Sequence, residues 1–193
     1  MRRPGSKQRR IVIMLLALLT FGIAYYGGNR HTEDESLKIS GVLLRPAMPV
    51  PEFELEDQHG NSFSKQQLED HWSLILLDPN RSSDSPALVR LVQIHNRLAI
   101  QPAIQQKIRF VYVPRQPATL TLAAGLGAGF FSLSGDAVDL HEAFSRFGVS
   151  DTEDGFTLYL IDPDARIRVL FTGGQDTATI ASDLITLISN HRS

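Results

Sequence analysis

Trp72-Ser73-Leu74-Ile75-Leu76-Leu77-Asp78-Pro79-Asn80-Arg81-Ser82-Ser83-Asp84-Ser85-Pro86-Ala87-Leu88 decides the fold. Leu74 to Leu77 form a short continuous apolar run, the pattern of a strand buried on both faces. A polar turn follows. Ser85 then fits the N-cap of a helix and Pro86 its first position, where a missing N–H costs nothing. The turn offers hydroxyls where such a strand–turn–helix unit could present thiols, and the chain contains no cysteine. A serine hydroxyl is neither a low-pKa thiolate nor a soft metal ligand, so thiol chemistry is excluded.

Outward from that unit the periodicities alternate. Phe53 and Leu55 alternate with Glu52, Glu54 and Glu56 as in a half-buried strand, Asp57 to Asn61 make a turn, and Phe63 opens a return strand. Ser64 and Gln67 have the spacing of a capped helical turn. In the helix after Ser85, Leu88, Leu91, Val92, His95 and Leu98 make the expected inner face. A second core strand is expected at 108–113. Asp136 caps a helix running through Phe147, with Val138, Ala143, Phe144 and Phe147 as its apolar positions. Segments 156–161 and 167–171 form a hairpin, and Asp176 caps a final helix carrying Ile180, Leu184, Leu187 and Ile188. This order is a three-layer α/β plan.

The N-terminus is different in kind. Five basic residues, Arg2, Arg3, Lys7, Arg9 and Arg10, precede an uncharged apolar run from Ile11 to Tyr26 that Gly27 and Gly28 extend. Such a segment reads as a single membrane anchor with its basic end in the cytoplasm. A cleaved signal peptide after Ala24 is the competing reading. The expected organisation is a cytoplasmic basic segment 1–10, a transmembrane anchor 11–28, a polar linker 29–45 and a folded domain 46–193. Those 193 residues carry a net charge of −2 without a basic face, which gives no support to a nucleic-acid partner.

Several stretches together resemble the Sco/SenC family. They are Glu52 to Asn61 with Phe63-Ser64 and His71 to Leu76, then Phe110 to Val113, Phe131 to Gly135, and Leu158 to Asp164. The resemblance implies a thioredoxin-like fold with an N-terminal hairpin. It also implies a membrane-anchored protein of the inner membrane, with its domain on the extracytoplasmic (periplasmic) side and a part in cytochrome c oxidase assembly. Family members hold copper through a Cys-x-x-x-Cys pair after the first core strand and a histidine before the late hairpin. Here Ser82 stands at the first cysteine position, Ser85 or Pro86 at the second, and Asp154 at the histidine position. The family's acidic-arginine signature is replaced by Pro114-Arg115-Gln116.

Ser82, Asp84, Ser85 and Asp154 are thus the degenerate family site. Neutral hydroxyls ligate copper poorly, and a capping turn accounts for the serines without a ligand. The six histidines show no His-x-x-x-His pairing. His95, on the apolar side of its helix, reads as a partly buried structural residue. No Gly-x-Ser-x-Gly elbow exists, and Ala123 to Gly129 lacks the lysine of a phosphate loop. That small-residue segment reads as a flexible loop or a loosely packed helix end, and as a surface for partner docking. The expectation is a non-enzymatic, cofactor-free pseudo-metallochaperone that binds a membrane complex such as respiratory oxidase or its assembly factors. The alternative is a metal-handling protein using histidine and carboxylate in place of thiols.

Overall fold

A computed structural model describes residues 39–79, 85–115, 127, 129–149 and 155–191. At its centre β4 (Trp72–Asp78) is buried along its whole length. Two neighbours flank it, and a third strand beyond them completes the core. Strand β5 (Ile108–Pro114) runs parallel to it, and β7 (Thr157–Ile161) runs antiparallel on the other side. Strand β8 (Arg166–Thr172) closes the late hairpin with β7. Two further strands, β1 (Val42–Pro49) and β6 (Phe130–Ser132), form the edges of a six-stranded sheet of order β1-β8-β7-β4-β5-β6. A separate hairpin pairs β2 (Glu54–Glu56) with β3 (Ser62–Ser64).

Alternation along each strand divides the core between two faces. Ile75, Leu77, Val111 and Val113 pack with Leu55 and Phe63 of the hairpin and with Leu140, Ala143 and Phe144 of α3 (Ala137–Arg146). Helix α1 (Pro86–Leu98) lies on β4 and β5 and packs against α4 (Thr177–Asn190), with the one-turn α2 (Pro102–Gln105) beside them. A sheet between a hairpin-plus-helix layer and a helix layer is the three-layer plan expected from sequence. The caps are also as read. Ser85 Oγ accepts from Ala87 N–H at 3.1 Å. Asp136 accepts from the N–H groups of Val138 and Asp139, each at 2.8 Å. Asp176 serves Ala178 and Thr179 in the same way.

Three expectations need correction. The inner face of α1 is Ala87, Leu91, Ile94 and Leu98, whereas Leu88 and Val92 are half-buried. The small Ala87 hides the true i, i+4, i+7, i+11 stripe. In α3, Val138 is 70 % exposed and Leu140 takes the inward position, because Leu140, Ala143 and Phe144 share one helical face. Residues 42–45, read as linker, belong to β1, which pairs with β8. Two prolines disguise it. They are tolerated because an edge strand has one side that needs no partner.

The two sheet edges are treated differently. Gln58 lays its side-chain amide along β6, donating to Phe130 O at 3.1 Å and accepting from Ser132 N–H at 3.0 Å. Glu56 and Ser134 exchange backbone hydrogen bonds at 2.8 and 2.7 Å just beyond it. Gly135 sits so close to Leu55 that a Cβ there would collide with that side chain. The hairpin therefore seals one edge. At the other edge β1 carries Pro46 and Pro49, which cannot donate. Among the described residues no helix is long and apolar enough to cross a membrane; segments 1–10 and 11–28 lie outside them.

Candidate functional site

Strands β4 and β5 end together, with Asp78 paired to Pro114. Asp78 shares a face with Leu74 and Leu76, the face that α1 covers, and Tyr112 stands on that face beside Leu76. The first residues of α1 return over the same spot, because Ser85 as N-cap must place its hydroxyl at the helix's own N–H groups. Asp78, Ser85 and Tyr112 consequently meet at the C-terminal end of the sheet. Their exposures are 0, 4 and 4 %, so bulk water cannot serve as their partner.

Asp78 Oδ2 accepts two hydroxyl protons, from Ser85 Oγ and from Tyr112 OH, the latter at 2.9 Å. Ser85 is thereby engaged twice, donating to Asp78 and accepting from Ala87 N–H. Burial is the main cause that pushes the Tyr112 phenol well above its ordinary value of 10.0. The Asp78 charge and the hydrogen bond to it push the same way, and Ser85 opposes them weakly. Tyr112 therefore stays protonated at any physiological pH and supplies no phenolate. Beside this network Arg115 N–H donates to Asp78 O at 3.1 Å, and the Arg115 guanidinium lies 4.8 Å from the Phe144 ring centre.

Chemically, this network ties the ends of β4 and β5 to the start of α1. Ser85 is 4 % exposed, with its hydroxyl proton given to a carboxylate and one lone pair to a helix end, so it faces no solvent-open position for a metal or a substrate. Ser82, Asp84 and Asp154 lie outside the described residues, as does most of the small-residue segment 123–129. Among the described residues no group of three or more histidine, aspartate or glutamate side chains could hold a metal ion.

Two histidines, His95 and His71, have structural partners. Gln105 Nε2 donates toward His95 Nε2 at 3.2 Å and to the His95 carbonyl at 3.1 Å, and the His95 ring meets Phe110 edge-on. This is the half-buried structural role expected for His95. His71 sits between the Glu69 carbonyl, 3.0 Å from Nδ1, and Arg109, 3.2 Å from Nε2.

Sequence reading missed Asp78 and Tyr112. One signal was available: an aspartate ending an otherwise apolar strand must find partners if the strand is buried. Nothing in the sequence named Tyr112 as the partner, because it stands 34 positions away.

No family model matches the chain, and no curated protein matches it in sequence. Solved structures do. Copper-bound yeast Sco1 superposes with a TM-score of 0.62 at 18 % identity, over 75 % of this chain and 94 % of the yeast one. BsSco, a member of the Sco family of cytochrome c oxidase assembly proteins, gives 0.56 at 13 % identity, over 75 % of this chain and 96 % of its own. The thioredoxin domain of a thiol-disulfide oxidoreductase from Bacteroides vulgatus gives 0.53 at 12 %, over 74 % and 94 %. The described chain therefore has the thioredoxin-like fold of the Sco proteins, and carries it without a cysteine.

Proposed function

We propose that this chain is a membrane-tethered, extracytoplasmic Sco-like binding factor. It acts in respiratory oxidase assembly through protein surfaces, without redox chemistry, enzymatic turnover or a resident metal. The observation that carries the reading is the Asp78–Ser85–Tyr112 network. At the end of the sheet where the Sco resemblance calls for a thiol ligand, Ser85 is tied into a buried hydrogen-bond network. A site built that way keeps its shape and offers no soft donor. The tether supports a client in or at the membrane, since confinement to the membrane plane raises the effective concentration near such a client. The oxidase assignment rests on the likeness to Sco proteins.

Co-isolation of the tagged full-length protein from its native membranes, read by quantitative mass spectrometry, tests this. The expected result is enrichment of oxidase subunits or of haem and copper assembly factors over an unrelated anchored control. Enrichment of a different envelope system would overturn the assignment. Stoichiometric copper retained by the purified protein would overturn the metal-free part of it.

A further inference from the structure

The outer face of the β2–β3 hairpin is left open. Leu55 and Phe63 point inward, 3 and 2 % exposed, so Glu54, Glu56, Ser62 and Ser64 turn the other way. Helix α3 lies beside this face, and the two bound a cavity of about 510 Å³ whose walls include Glu52, Glu54, Asp139 and Glu142. A second cavity of about 550 Å³ shares Glu54 and Asp139 and adds Glu56 and Asp136. The two form one groove with six carboxylates along it.

Two cations answer them. Lys65 Nζ lies 3.0 Å from Glu52, and Arg146 bonds to Glu142 and to the Glu52 carbonyl, the latter at 2.6 Å. Glu54, Glu56 and Asp139 enter no ion pair among the described residues. The groove thus carries four net negative charges, twice the net charge of −2 on the whole chain. A concave surface focuses the field of such charges.

A metal ion does not suit the open carboxylates. Among the described residues no group of three or more acidic or histidine side chains could hold one. Glu54 and Glu56 stand about 7 Å apart on one face of β2, the repeat of alternate side chains in any extended chain. Phe53 and Ala143 add apolar surface to the lining. That combination fits lysine or arginine, whose stem packs on apolar surface while its head meets a carboxylate.

We propose that this groove is the docking surface for an extended, lysine- or arginine-bearing segment of a protein client, with Glu54, Glu56 and Asp139 pairing its cations. The inference rests on the reading of the chain as a factor that binds through its surfaces, and not on the identity of the client.

The probe is a fluorescein-labelled peptide of alternating lysine and threonine, titrated by anisotropy into the full-length protein in a non-ionic detergent. At about 20 mM salt, where charges are weakly screened, binding should saturate. Glu54→Gln with Asp139→Asn, at two exposed positions, should weaken it about tenfold as two charge pairs are lost. Ser62→Arg should weaken it at least as much, because it fills the groove and sets a cation beside Glu54, which is 3.2 Å from the Ser62 hydroxyl. Asp164→Asn, at an exposed carboxylate of the β7–β8 turn, should change it less than twofold. A peptide of alternating glutamate and threonine should not bind. Absence of saturable binding, or equal weakening by Asp164→Asn, overturns the groove. Calcium bound by the wild type and lost in the double variant, with no peptide bound, would make it a cation site instead.

Co-isolation from native membranes separates this inference from the oxidase assignment. Unchanged enrichment of oxidase components by Ser62→Arg would overturn the groove and leave that assignment standing. Intact peptide binding, with no oxidase component enriched by the wild type, would remove the assignment and support the groove.

Discussion

Among the described residues two aspartates are fully buried, Asp78 and Asp162, each at the end of a core strand, and they are satisfied in different ways. Asp162 closes the β7–β8 hairpin. Its Oδ1 accepts from the N–H groups of Asp164 at 3.1 Å and Arg166 at 2.9 Å, and Arg168 Nε donates to Oδ2 at 2.6 Å. All those partners lie within six residues, and one is a cation whose side chain is 39 % exposed. Asp78 takes hydroxyl protons from Ser85 and Tyr112, which are seven and 34 residues away and themselves buried. One carboxylate organises a turn that its own segment encodes. The other joins two strands and a helix start at the site end of the sheet.

Replacing each carboxylate tests that contrast most severely. Asp78→Ala should cost about 3–4 kcal/mol in urea unfolding, because two buried hydroxyls lose their acceptor at about 1–3 kcal/mol each. Asp162→Ala should cost less, about 2–3 kcal/mol, since Arg168 can turn to water. If Asp162→Ala proves the more damaging, the ion pair and turn outrank the hydroxyl network.

Tyr112→Phe sharpens the same comparison. At neutral pH it should cost about 1–2 kcal/mol. Its clearer signature lies in alkali. The folded state holds the Tyr112 proton above the ordinary value of 10.0, whereas the unfolded chain releases it there. The unfolded state therefore binds fewer protons above pH 10, and stability falls as pH rises, by up to about 1.4 kcal/mol per pH unit. Tyr112→Phe should remove that part of the alkaline slope in unfolding curves. An unchanged slope would place the phenol outside the buried network.

The smallest effect belongs to a third, solvent-accessible aspartate. Partial burial pushes the Asp57 carboxyl up, but the N–H and side-chain amide of Asn61 and the N–H of His59 outweigh it, helped by the His59 charge. The net result lies below the ordinary 3.8. A lowered folded value stabilises above pH 3.8, and the contribution is lost as pH falls through the folded value. Asp57→Asn should cost less than about 1 kcal/mol at neutral pH, given its exposure, and flatten only the acid end of a stability profile.

How far the chain could be read follows the same division. The helix caps Ser85, Asp136 and Asp176 were legible because a cap is a contact between neighbours in sequence. The β7–β8 hairpin was legible because Asp162-Pro163-Asp164 supplies its own turn chemistry. The position of Val138 was misread because amphipathic spacing gives the width of a face better than its direction. Strand β1 was misread because prolines that mark a linker also suit an exposed edge.

By itself, then, the sequence determined the absence of thiol chemistry, the strand–turn–helix order and the three-layer class. Each depends on residue type or on spacing within a dozen positions, where backbone geometry dictates which residues share a face. Tertiary structure alone decided that Asp78, Ser85 and Tyr112 form one buried network, that Gln58 seals β6, and that Asp183 grips Ser40 across 143 positions. Those partners are chosen by desolvation: a polar group taken out of water must bind whatever donor or acceptor the packed sheet brings beside it.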